Sequence, residues 1–318
     1  MNLNVLFLGT SPFALPALRK LAESGLRSLT AVTRPDRPAG RGKKSSMTPV
    51  KAEALKYKLT LFQPEGRIGL LEVLEKTNPD LLINVAFGMF LPPAVLDYPP
   101  LGCINLHPSL LPAYRGAAPI QRALMSGEEY TGVTVLHMSP ELDAGDIILQ
   151  EKTGIGFQEN YGSLHDRLAE LGAVKLLQAL ELLEKSAAPR IRQDEEKATF
   201  APPLTRDEEQ IVWSNPAIWI YNQVRALDPA PGAYTRFRNK RLKIWDTAID
   251  GGDIPRQKKG VSAPLSPGTV SSVTKECFEV ASGRGFLRVL ELQPEGKKRM
   301  SARDFLKGYQ LKVGVFFE

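Results

Sequence analysis

Short apolar runs alternate with amphipathic stretches through the first 185 residues, and that alternation predicts an α/β fold. Residues 4–8 (NVLFL) are apolar at every position but the first, as expected of a strand covered on both faces. Ser11 stands ready to cap a helix that Pro12 opens and Gly25 ends. Residues 29–33 follow as a second strand, so the chain begins βαβ and predicts a doubly wound, mostly parallel sheet. The first turn lacks the G-x-G-x-x-G pattern of a dinucleotide site. Further strands are expected at 59–62, 81–86, 103–107, 132–138 and 147–150, with helices at 66–76 and 160–185. Residues 190–206 carry prolines and mixed charges without a period, which reads as a linker. Beyond it, a helix at 216–227, five alternating segments between 233 and 293 and a short helix at 301–308 predict a small, OB-like β-barrel. The expected domains are therefore 1–189 and 207–318.

Two stretches interrupt the rhythm. Residues 34–51 (RPDRPAGRGKKSSMTPVK) form a loop far longer than a strand-to-helix turn needs, and their prolines and glycines argue against a regular element. Arg34, Arg37, Arg41, Lys43, Lys44 and Lys51 face one acid there, Asp36. Such a loop is either a solvated surface feature or a phosphate-binding arm, and composition does not separate the two. Residues 87–93 (FGMFLPP) are apolar and glycine-bearing at a strand's carboxyl end, which suits either a pocket wall or plain core.

Charge sharpens the second half. The net charge is +6, and from Asp207 onward 18 Lys and Arg stand against 13 Asp and Glu, so five of the six surplus charges lie there. A basic carboxyl-terminal third suits a polyanionic partner. The amino-terminal MNLNVLFLGT shows no basic leader, and no apolar run approaches the roughly 20 residues of a membrane span, so neither signal peptide nor membrane association is expected. Cys103 and Cys277 lie far apart, and only three histidines occur. A reduced, cytoplasmic monomer without a metal site is expected.

The candidate chemistry sits at residues 103–122 (CINLHPSLLPAYRGAAPIQR). The predicted strand stops at Pro108, and alternation puts Asn105 and His107 on one face while Ile104 and Leu106 share the other. An amide and an imidazole at a strand's carboxyl end can donate to an oxyanion forming on a carbonyl carbon. Asp143, in the acidic loop 139–146, can orient the imidazole or take a proton through water. No Ser or Cys is placed as a nucleophile, which favours direct transfer of an acyl-type group to an amine. The same residues also suit a strand end before a proline turn, with Asp143 making an Asx-turn over Gly145.

These motifs together resemble the folate-dependent formyltransferase family: Asn105-x-His107-Pro108-Ser109-Leu110-Leu111-Pro112, then RGAAPIQ at 115–121, then LDAGD at 142–146. The resemblance extends to LFLGTSPFALPAL near the start, the basic PDRPAGRGKK loop, and RALDPAPGAY and KRLKIWD beyond the linker, and it is closest to members that act on charged initiator tRNA. It implies 10-formyltetrahydrofolate as donor and the α-amine of methionine on initiator tRNA as acceptor. It makes Asn105 and His107 the oxyanion donors and Asp143 their support. Folate would lie along Ser109, Leu110, Leu111 and Pro112, with its pterin held by loop 138–143 and loop 87–91, including Phe87 and Gly88. Arg41, Lys43 and Lys44 would meet the tRNA, Arg41 foremost, and the second domain would bind its backbone.

The departures are small. Phe87 stands where the family often has Tyr, Ala113-Tyr114 where a basic residue and an aromatic are common, and Asp228 where Asn is usual. The resemblance leaves as rivals a formyltransferase acting on a nucleotide sugar or glycinamide ribonucleotide, a formyltetrahydrofolate hydrolase, and a tRNA-binding protein without activity. The first should lack the basic arm and the barrel, the second would carry a regulatory domain in front, and the third should have lost part of the Asn-His-Asp group.

Overall fold

The apolar runs of the first half become one sheet in the computed structural model, which describes residues 2–39, 44–249 and 265–318. In chain order the elements are β1 (Asn4–Gly9), α1 (Leu15–Glu23), β2 (Ser28–Val32), β3 (Arg37–Ala39), β4 (Lys44–Ser46), α2 (Pro49–Lys56), β5 (Thr60–Phe62), α3 (Gly66–Thr77), β6 (Leu81–Val85), α4 (Pro93–Leu96), β7 (Cys103–His107), α5 (Pro119–Ser126), β8 (Tyr130–His137), β9 (Ile147–Gly154) and α6 (Tyr161–Glu184). Seven strands pair in the order β5-β2-β1-β6-β7-β8-β9. The first five are parallel, and β8 and β9 add an antiparallel edge. The expected doubly wound, mostly parallel sheet is present.

Two compact units divide the chain. One comprises Met1–Pro119, Tyr130–Gly154 and His165–Pro202, the other Ile120–Glu129, Ile155–Leu164 and Pro203–Glu318. In the first, β7 is buried along its whole length. Ile104 and Leu106 lie on one face and contribute roughly 1.5–3 kcal/mol each by leaving water. Helix α6 presses on that face. A Cβ at Gly172 would stand 2.8 Å from Leu106 Cδ2, so the approach needs a residue without one. The opposite face of β7 is left for Asn105 and His107.

Ser11, expected to cap the first helix, makes no side-chain cap bond, and a 3-10 turn at Pro12–Ala14 precedes α1, whereas Thr48 caps α2 by accepting from Lys51 N at 3.1 Å. The basic loop is not wholly irregular, because β3 and β4 pair as a small antiparallel ribbon with Pro38 opposite Ser45. A two-stranded ribbon is all edge, where a proline's missing N–H is tolerated. Two of the loop's cations are structural. Lys51 pairs with Asp36 at 2.6 Å, which holds that carboxyl below its ordinary value, and Arg34 Nη1 donates to Gly88 O at 2.7 Å.

Stretch 190–206, read as a linker, has a more specific place. Ile191 exchanges backbone hydrogen bonds with Ile147 at 2.8 and 3.0 Å, Arg115 N donates to Thr199 O at 2.8 Å, and Ala201 N donates to Arg115 O at 2.7 Å. Residues up to Pro202 thus pack as a strap on the first unit. The bonds are backbone bonds, so they impose no residue pattern that a sequence would display.

The second unit holds α7 (Ala217–Ala226), β10 (Ala233–Phe237), β11 (Lys240–Ala248), β12 (Val270–Val273), β13 (Phe278–Ala281), β14 (Phe286–Pro294), β15 (Met300–Ser301) and α8 (Ala302–Gly308). The sheet runs β10-β11-β14-β13-β12, with β15 on β14. Residues 314–318 then bond to both ends of this path. Arg236 N donates to Glu318 O at 3.0 Å on β10, and Val270 N donates to Val315 O at 2.8 Å on β12. That segment closes the antiparallel sheet into a barrel. Phe278 meets Phe305 and Phe317 in its core, with centroids 6.2 and 5.8 Å away.

One ion pair in this unit makes it acid-sensitive. Arg122 donates to both carboxylate oxygens of Glu208 and draws its pKa from 4.5 down to about 2. A depressed folded pKa means the pair's contribution is complete above 4.5 and disappears as pH falls toward 2. The melting temperature should therefore fall through that window, and Arg122→Met should flatten the fall. Identical acid profiles in thermal melts would remove the pair from acid unfolding.

Candidate active site

Register places the site. Strand β6 pairs with β7 so that Asn84 lies beside Asn105, and Asn84 Nδ2 donates to Asn105 Oδ1 at 2.9 Å. That fixes which end of the Asn105 amide faces outward. Its Nδ2 donates to Asp143 Oδ1 at 3.3 Å. Asp143 lies on the loop between β8 and β9 at φ +51°. Its Oδ2 accepts from Gly116 N at 2.9 Å and lies 3.5 Å from His107 Nδ1. On the other side of the ring, His107 Nε2 is 2.9 Å from Tyr114 O. The Asx-turn alternative is not what forms, because both carboxylate oxygens point to partners elsewhere in the sequence.

Asn105 is 8 % exposed and His107 4 %, so little water competes for their hydrogen bonds. The Asn105 amide has two N–H bonds and Asp143 takes one, leaving a donor for an incoming oxygen. Cys103, two residues upstream on the same face, is no nucleophile: burial pushes its thiol up to about 12. Among the described residues no three His, Cys, Asp or Glu gather as a metal would require.

The other sequence-predicted residues scatter. Ser109 and Leu111 are buried. Ser109 O accepts from Thr134 Oγ1 at 2.7 Å, and Leu111 packs with Leu136 and Ile147. Leu110 lies over Gly132, where a Cβ would meet it at 2.5 Å. Pro112 O accepts from Thr199 N at 3.2 Å. This stretch is thus fixed to β8, β9 and the strap. The Phe87 ring sits in the core with Leu6, Leu8 and Leu74, whereas Gly88 is exposed at φ +74°. A cleft of about 470 Å³ shares Met138 and Pro140 with the loop that carries Asp143 but includes none of Asn105, His107 and Asp143. Arg41 and Lys43 lie outside the described residues, and Lys44 opens β4.

Sequence reasoning missed Asn84, the Gly116 N–H and the Tyr114 carbonyl. Asn84 had a signal, since it is the one polar residue of the run LLINV. Gly116 had a weaker one: its φ is +120° and a Cβ there would stand 2.8 Å from Ala201 O, so only glycine brings this N–H to Asp143. Backbone carbonyls have none.

An amide, an imidazole and a carboxylate gather over a strand's carboxyl end, an arrangement that suits acyl-type transfer. Residues 1–180 match the Formyl transferase family and residues 203–310 the Formyl transferase, C-terminal domain. The chain therefore belongs to the formyl transferase family. Relatives that match it along its length are named methionyl-tRNA formyltransferase. That of Syntrophus aciditrophicus is 46% identical over 99% of this chain and 98% of its own, and that of Moorella thermoacetica 48% identical over 98% of each. Among solved structures, HypX from Aquifex aeolicus in complex with tetrahydrofolic acid superposes with a TM-score of 0.67 at 18% identity. It covers 98% of this chain, which spans 48% of HypX. The sugar 3N-formyl transferase WlaRD has a TM-score of 0.66 at 15% identity, covering 94% of this chain and 100% of its own.

Proposed function

We propose that this chain transfers the formyl group of 10-formyltetrahydrofolate to the α-amine of methionine on initiator tRNA. The observation that carries the reading is the Asn105–His107–Asp143 group, held in a chain 46–48% identical throughout to methionyl-tRNA formyltransferases. The free amine attacks the formyl carbon, a C–N bond forms, and the carbonyl electrons move onto oxygen. Asn105 Nδ2 meets that oxyanion, joined by His107 once the formyl oxygen shares or replaces Tyr114 O as the ring's partner. The tetrahedral centre then collapses and expels N10 of the folate, which takes up a proton. Asp143 receives the proton of the attacking amine directly or through water, and its charge steadies the His107 ring.

Folate placement belongs to the same proposal. Ser109, Leu110, Leu111 and Pro112 form the wall behind His107, and the pterin lies against the loops carrying Phe87, Gly88 and residues 138–143. Arg41, Lys43 and Lys44 take tRNA phosphates, supported by the surplus of five positive charges from Asp207 onward. The deciding experiment is formyl transfer to charged initiator tRNA, compared with uncharged tRNA and free methionine. No formylation of the charged tRNA would overturn the reading. Arg41→Ala should raise KM for charged tRNA and lower the salt slope by about one, with KM for the folate unchanged. Unaltered tRNA kinetics would make the arm a solvated loop.

A further inference from the structure

We infer that Gln193, on the strap that follows the sheet, is a positioning residue for the formyl-transfer step, acting through the backbone of the Asp143 loop. The inference rests on the activity proposed above. Gln193 is only 7 % exposed and every polar atom of its side chain is engaged. Its Nε2 donates to Asp143 O and to Gly145 O, both at 2.8 Å. Its Oε1 accepts from Arg115 Nη2 at 2.8 Å and from Arg115 Nε at 3.2 Å. The Arg115 guanidinium is buried too, and it gives one hydrogen from each Nη to Glu195 at 2.8 Å, a doubly bonded pairing that locks the fork.

These bonds close a ring around the chemistry. Arg115 is flanked by the two residues whose backbone touches the reacting group: Tyr114 O faces His107 Nε2, and Gly116 N donates to Asp143 Oδ2. Gln193 ties the side chain between them to the main chain of Asp143 itself. The carboxylate is thus fixed from both ends, by Gly116 and Asn105 at its oxygens and by Gln193 at its own backbone. Asp143 needs this restraint. It sits at φ +51°, a conformation an L side chain adopts only at a cost, so the loop would relax without a clamp. Glycine serves the same junction one turn on, since a Cβ at Gly145 would lie 1.8 Å from His137 O. A displacement of about 1 Å at a reacting group can cost on the order of 10²-fold in rate, and Gln193 stands where it prevents one.

Two substitutions test this. Gln193→Glu keeps the shape and the acceptor for Arg115 but turns the donor toward Asp143 O and Gly145 O into a second acceptor. Gln193→Met keeps the volume and removes both. Each should lower kcat for formylation about 10- to 100-fold, with KM for charged tRNA and for the folate within about twofold of wild type. The melting temperature of Gln193→Glu should fall, because a carboxylate oxygen then faces two carbonyl oxygens, so kcat is read well below the variant's melting temperature. A purely structural residue would multiply its effect in any background. Gln193 should not: in Asp143→Asn the added loss from Gln193→Glu should shrink to less than about threefold. A wild-type enzyme that transfers no formyl group would overturn this inference together with the function it rests on. Active wild type with unimpaired Gln193→Glu and Gln193→Met would overturn this inference alone, as would a kcat loss that multiplies in full on the Asp143→Asn background.

Discussion

His107→Ala is expected to lower kcat for formylation by two or more orders of magnitude while tRNA affinity barely changes. The ring is buried between Tyr114 O and the Asp143 carboxylate, so it has no contact with solvent-borne phosphate to lose. What disappears is a donor beside the position where charge develops, and removing one such donor costs about 10²–10³ in kcat elsewhere. The alanine would also strip the carboxylate of its neighbour, leaving Asp143 to Gly116 and Asn105. Single-turnover formylation with saturating folate isolates the step. A near-normal rate would remove His107 from the mechanism.

Asp143→Asn should be of similar size, about 10²–10³ in kcat, for a different reason. The carboxylate accepts from two donors, Gly116 N–H and the Asn105 amide, and lies 3.5 Å from His107 Nδ1. An amide of the same shape has one acceptor oxygen, so its NH2 end must face a donor, and either the Asn105 amide or Gly116 N–H loses its acceptor. The variant also loses the base that accepts the amine's proton, a contribution typically worth 10²–10⁴. The discriminating readout is the pH–rate profile. Loss of the base should raise the apparent dependence on hydroxide, so the deficit should narrow as pH rises. A constant deficit at every pH would assign Asp143 to orientation alone.

The parts of this molecule that were legible in its sequence are those governed by side-chain pattern. Residues 4–8, 81–86 and 103–107 announce strands because burial on both faces demands apolar runs, and β1, β6 and β7 follow them within a residue or so. The face shared by Asn105 and His107 follows from alternation alone. Asp143 joins them although it lies 38 residues further on; its place in a loop at a strand's carboxyl end made it a candidate, and the motif resemblance strengthened it. The strap stayed hidden because its attachments at Ile191 and Ala201, and all but one of those at Thr199, run through the backbone. Gln193 gave no sign either, since a glutamine among charges looks like surface until its partners are known. The ribbon of β3 and β4 escaped because glycine and proline signal a turn more loudly than they signal the two short strands beside it.

The strap also sets a schedule. Tyr114 N reaches the Thr199 hydroxyl across 85 residues of chain, and Arg115 reaches Gln193 and Glu195 across 78 and 80. A ribosome that has finished the parallel strands has therefore not yet made the residues that hold the site in shape. The sheet can form first, with the residues of the site in place but unclamped, and the clamp arrives only when the chain has grown past residue 201. Activity should thus be the last property this unit acquires as it is synthesised. It should also be the first it gives up when the strap lifts away from an otherwise intact sheet.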